Sequence, residues 1–378
     1  MLVGLFLLLL PGFALTAFTT RAYRSEQQRL AAESSHRGDS ALRNGHPAEA
    51  IDELRTAMSL APTRPRRLRL AQALAAAGRD AEARAHLLTL REDAPGDGVI
   101  NLELARLAGR EGDVTSASHY YRNAIEGAWE TAPEGNRRKV RLELAELLVR
   151  QGTLTQAEAE LITLAADMPR DPALHVRVGD LLMQAQQAPR AFDVYTAALQ
   201  IDPASRRALQ GAGESAFRMA NYVTARRYFE AVASAEPGNA HVRGRLDTIT
   251  AVLTMDPFRR GLAARERARR VVLAFEIASA RLEACSASLG IALPAAQVST
   301  PAPEASNTDG LQRLATELRD TAPSLKVNTV LRDPDAMEGV MDLVFRVEDA
   351  CEARCGEAGH GSDQALALIA RGRRATER

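Results

Sequence analysis

Lysine is almost absent from this chain. It occurs only at Lys139 and Lys326, so nearly all positive charge is carried by arginine. Aromatic residues make up 4% of the 378 residues, with a single tryptophan, which argues against a β-sandwich core. No run of alternating β-branched residues bounded by turn pairs occurs, so strand signals are missing. The formal net charge is zero, which gives no basic surface for nucleic acid. No glycine-rich phosphate loop, G-x-S-x-G elbow, H-E-x-x-H pair or dinucleotide fingerprint is present, and the seven histidines are scattered. The chain is therefore expected to be non-enzymatic and to need no cofactor.

What the chain does have is a period. Ala50, Ala83, Ala117, Ala157, Ala191 and Ala225 are separated by 33, 34, 40, 34 and 34 residues. Four residues after each stands a large apolar side chain: Leu54, Leu87, Tyr121, Leu161, Tyr195 and Phe229. Twelve residues before each stands a small one: Gly38, Ala71, Ala105, Ala145, Gly179 and Gly213. Pro62, Pro95, Pro169, Pro203 and Pro237 close five of the six units; the third instead carries Trp129 and a late Pro133. Small residues let two helix backbones approach, and the large one fills the space beside them. Proline then stops the second helix of each pair.

These columns resemble the tetratricopeptide repeat, over about residues 34–254. The resemblance implies an all-α, right-handed α-solenoid of about six helix pairs, because no pair can bury its apolar face alone. Six repeats are expected over 31–239, with a six-residue excess within 127–137. A capping helix is expected over 240–256 and a long amphipathic helix over 257–290. A flexible linker over 291–309 leads to a small helical C-terminal region, 310–378. That region is too small to fold alone, so it is expected to pair with the 257–290 helix.

The N-terminus, residues 1–20, reads as a signal peptide or a transmembrane anchor. Pro11-Gly12 interrupts its apolar run, and Arg21, Arg24 and Arg29 follow. Both readings place the chain at a membrane, with a lean to the extracytoplasmic, periplasmic side.

The resemblance also implies that the first helices of the pairs line a concave groove for a segment of a partner protein. Register places Arg43, Arg106, Arg110, Lys139, Arg150, Asp180, Arg207, Glu214 and Arg218 there, with the arginines as anchors for carboxylates. The lysine with which some family members clamp a terminal carboxylate is missing. The corresponding positions hold Ser35, Leu68, Leu102, Leu142, Val176 and Gln210. An alternative makes the array a spacer or oligomer interface and puts recognition in the C-terminal region. There Cys351 and Cys355 share a helix face. A disulfide from Cys285 to one of them fits an exported chain, while zinc held with His360 has the weaker spacing.

Overall fold

A computed structural model describes residues 2–293, 310–357 and 361–377; the side chains of 2–15, 17, 334 and 375–377 lie outside that description. Most of the expected linker, 294–309, and His360 fall outside it as well. Among the described residues the chain is all-α, and two compact units divide at Asp167 and Met168.

The first unit opens with α1 (Leu2–Arg43), followed by α2 (Pro47–Leu60), α3 (Arg64–Ala76), α4 (Asp80–Asp93), α5 (Gly98–Arg110), α6 (Val114–Glu126), α7 (Pro133–Arg150) and α8 (Leu154–Ala166). Consecutive helices pack as hairpins, and α1 and α3 each also touch the next odd-numbered helix. The alanine column explains the spacing. Ala50, Ala83, Ala117 and Ala157 are fully buried, as are Leu54, Leu87 and Leu161. A Cβ added at Gly38 would lie 2.7 Å from Leu54 Cγ, so only glycine admits that leucine.

The N-terminal expectation needs correcting in one respect. The interruption of the apolar run at Pro11-Gly12 does not break the backbone: α1 is continuous over Leu2–Arg43. Proline removes one N–H, and the flanking residues keep the helical backbone. Arg29 reinforces the run through Glu26 and Glu33, both at 2.6 Å. Among the described residues no helix is long and apolar enough to cross a membrane, so the expected transmembrane helix has no support there.

The second unit holds α9 (Pro172–Gln184), α10 (Ala188–Ile201), α11 (Arg206–Arg218), α12 (Tyr222–Ala235), α13 (Ala240–Met255), α14 (Ala264–Ser288), α15 (Gly310–Thr321), α16 (Val327–Arg332), α17 (Pro334–Cys355) and α18 (Ser362–Glu377). Helices α9 to α12 repeat the pairing of the first unit. Helix α13 occupies the place expected of a capping helix. Helix α18 packs across it, and Tyr222 donates to the Leu368 carbonyl at 3.4 Å. Helices α14, α15, α17 and α18 share one apolar core with Val252 and Met255, built on Val271, Phe275, Leu282, Met341, Val344 and Leu366. Within that core Arg281 of α14 is ion-paired with Glu348 of α17, whose carboxyl burial pushes upward and Arg281 pulls back down.

A second register column runs through the turns inside the helix pairs. Gly45, Gly78, Gly112 and Gly152 all have φ between 74° and 79°. The same place in the second unit is held by Gln186 (φ 62°) and Ala220 (φ 56°). A side chain in this left-handed region costs roughly 1–2 kcal/mol. Gln186 is exposed, so Gln186→Gly should stabilise the protein by about 0.5–1 kcal/mol after the greater chain entropy of glycine is subtracted. Urea unfolding checks this; an unchanged or lower midpoint would show that the turn is not strained.

Candidate functional site

The first helices of the pairs carry the residues that register assigns to a groove. Their arginines are used differently from the expected row of open anchors. In the first unit Arg106 grips Glu143 with two hydrogen bonds, 2.9 and 2.7 Å, joining α5 to α7. Tyr121 adds its hydroxyl to the same carboxylate at 3.5 Å, and burial pushes that phenol up to about 12. Arg110 holds Asp80 at 3.2 and 2.7 Å and keeps its carboxyl below the usual range. Arg69 lies 3.6 Å from Asp39, joining α3 to α1. Arg43, Lys139 and Arg150 are exposed on the same set of helices.

In the second unit four of the assigned residues converge. Asp180, Arg207, Glu214 and Arg218 line one pocket of about 420 Å³, together with Gln184 and Gln210. The pocket is organised by Tyr195 of α10, which is almost fully buried. Its ring is wedged between helices α9 and α11. A Cβ at Gly179 would lie 2.6 Å from it, and one at Gly211 would lie 2.4 Å away. The Tyr195 hydroxyl emerges into the pocket and donates to Asp180 at 2.7 Å, while Arg207 donates to the other carboxylate oxygen at 2.9 Å. Burial first, and then the bond to Asp180, push the Tyr195 phenol far above its ordinary range. It is a fixed donor, not an acid.

At the other end Glu214 accepts two bonds from Arg245 of α13, 3.0 and 2.6 Å, and the Arg245 guanidinium stacks 4.5 Å over the Phe217 ring. Both carboxylates are thus occupied. Arg218 spends one N–H on the Met183 carbonyl at 3.1 Å, and its remaining donors face the opening. Arg207 stands 79% exposed beside it. The arrangement offers surplus hydrogen-bond donors and two amides. Such a set can meet a carboxylate and a peptide backbone.

Register did not find Tyr195 as a polar element or Arg245 as a partner. The signal for the first was a tyrosine, in place of leucine, at the large position of a repeat whose small position is glycine. Arg43, Arg106, Arg110, Lys139 and Arg150 do not line this pocket.

Of the two cysteines left open on α17, Cys355 bonds to Cys285 as a disulfide, with the Cα atoms 5.9 Å apart. Cys351 is a buried free thiol that burial pushes up to about 11. Among the described residues no group of histidine, cysteine or acidic side chains could hold a metal ion.

The wedge makes a direct prediction. Gly211→Ala would drive a methyl group into the Tyr195 ring and should destabilise the protein by about 1–3 kcal/mol. Combining it with Tyr195→Leu should cost less than the sum of the two single changes. A double-mutant cycle by urea unfolding tests this, and strict additivity would disprove the wedge.

Family models described as tetratricopeptide repeat match residues 41–107, 102–163 and 142–206. No curated protein sequence matches the chain. Solved structures of similar architecture include YrrB, described as a TPR protein with an unusual peptide-binding site; it is 14% identical over 50% of this chain and 95% of its own, with a TM-score of 0.41. The C-terminal part of a TPR repeat-containing protein from Cytophaga hutchinsonii is 13% identical, covering 62% and 91%, with a TM-score of 0.46. Yeast Tom70 is 13% identical, covering 84% and 58%, with a TM-score of 0.39.

Proposed function

We propose that this chain, whose residues 41–206 match tetratricopeptide repeat models, is an interaction scaffold that binds an extended, acidic segment of a partner protein at the α9–α11 pocket. The observation that carries the reading is the unequal use of charge there. The acids Asp180 and Glu214 are saturated by Arg207, Tyr195 and Arg245, whereas Arg218 keeps most of its donors for a guest. Arginine matches carboxylate geometry with two parallel bonds, and Gln184 and Gln210 supply donors and acceptors for a peptide backbone. Because the pocket is prebuilt by the Tyr195 wedge, little ordering cost falls on binding.

The test is capture of partners from gently solubilised native membranes by the wild-type protein and by Arg218→Glu. The variant should retain the wild-type melting temperature, since Arg218 is exposed, and should capture the partner at least 10-fold less. Undiminished capture with the fold intact would remove recognition from this pocket and pass it to the cysteine-bearing C-terminal helices, leaving the repeats as a spacer.

The disulfide supports placing the protein in an oxidising, extracytoplasmic compartment, with residues 1–20 as leader or tether. Acid quenching of cells followed by thiol alkylation should label one cysteine, Cys351, after unfolding. Labelling of all three would rule this compartment out.

A further inference from the structure

The six residues that break the repeat period build a second pocket, in the first unit. The segment between α6 and α7 is fixed by backbone bonds: Gly98 N–H donates to the Ala128 carbonyl at 2.9 Å, and Ala128 N–H to the Gly96 carbonyl at 2.8 Å. The Trp129 indole N–H donates to the Ala124 carbonyl at 2.9 Å. The ring lies so close to α5 that a Cβ at Gly98 would sit 2.4 Å from it. Ala132 takes a left-handed conformation, φ 45°, to return the chain to α7. A regular turn would avoid that strain.

The result is a cavity of about 440 Å³ whose apolar walls include Leu68, Val99 and Trp129. One rim is the start of α3, a helix with four arginines and no acid. Its Arg64 and Arg69 line the cavity and remain about half exposed. Two acids also line the cavity: Asp97 is already occupied by Arg64 and by the Val99 and Ile100 N–H groups, and Glu130 is exposed on the loop.

We propose that this pocket anchors one aromatic or aliphatic side chain of a partner polypeptide whose following residues are acidic and run along Arg64 and Arg69. The apolar walls take the anchor, the arginine rim takes the carboxylates, and the prefixed loop spares the cost of ordering. This site is separate from the α9–α11 pocket and stands or falls without it.

Trp129 is the chain's single tryptophan, so its emission reports this pocket alone. The probes are Trp-free 12-residue peptides with a central Phe, Leu or Ala, followed by three Asp or three Asn. Phe–Asp and Leu–Asp peptides should shift the emission to the blue in a saturable titration. Their Ala or Asn counterparts should bind at least 10-fold more weakly. Arg69→Glu should weaken binding at least 10-fold, as should the pocket-floor change Leu68→Asp, while Arg218→Glu should leave the titration unchanged. Circular dichroism confirms that each variant is folded, and Arg69→Gln replaces Arg69→Glu if it is not. The proposal is overturned if no peptide moves the emission or if the shift ignores the anchor and Arg69. It is also overturned if the shift grows with protein concentration alone, which would make the occupant a second copy of this chain.

Discussion

The structure depends on one close approach, a helix backbone lying against the flat side of a large residue from its partner helix. Leu54 requires Gly38, Tyr195 requires Gly179 and Gly211, and Phe229 lies against Gly213. Alanine at the other small positions allows the same approach for Leu87 and Leu161. Helix spacing follows from these contacts, because interiors packed at crystal density have no slack to absorb an extra methyl group. The binding surface follows from the spacing. Only when α9 and α11 close on the Tyr195 ring does its hydroxyl reach Asp180 and bring Arg207 to the same carboxylate.

Charge then works laterally along the array. Arg69 with Asp39, Arg106 with Glu143, Arg207 with Asp180 and Arg245 with Glu214 each join one inner helix to the next. Single exposed pairs of this kind contribute little, about 0–1 kcal/mol. Their effect on recognition is larger than their effect on stability. By occupying the acids they leave Arg218 with open donors in one pocket, while Arg64 and Arg69, themselves paired with Asp97 and Asp39, stay about half exposed at the other.

The repeat architecture was legible because its determinants recur. An alanine every 33 or 34 residues, with one step of 40, a large apolar residue four later and a small one twelve earlier report the same contact six times. Features that occur once were harder to read. The cysteine partner of Cys285 depended on which of two residues, one helical turn apart, lay at the end of α17. The arginine pairings depended on neighbours about 30 residues away on another helix, and register along one helix does not specify these. The burial of α13 under α18 required knowing that the C-terminal helices return to the array. The left-handed turns were visible in Gly45, Gly78, Gly112 and Gly152, but Gln186 and Ala220 hide the column in the second unit.

The disulfide gives the molecule a mechanical direction. Stacked repeats lose structure from their terminal members inward, because an end repeat has one neighbour instead of two. At the C-terminal end that route is obstructed. Cys285 and Cys355 close a segment 70 residues apart in sequence, and α18 lies over the last array helix inside the same core. Within the second unit, thermal fluctuation or a protease therefore meets a locked end rather than a fraying one.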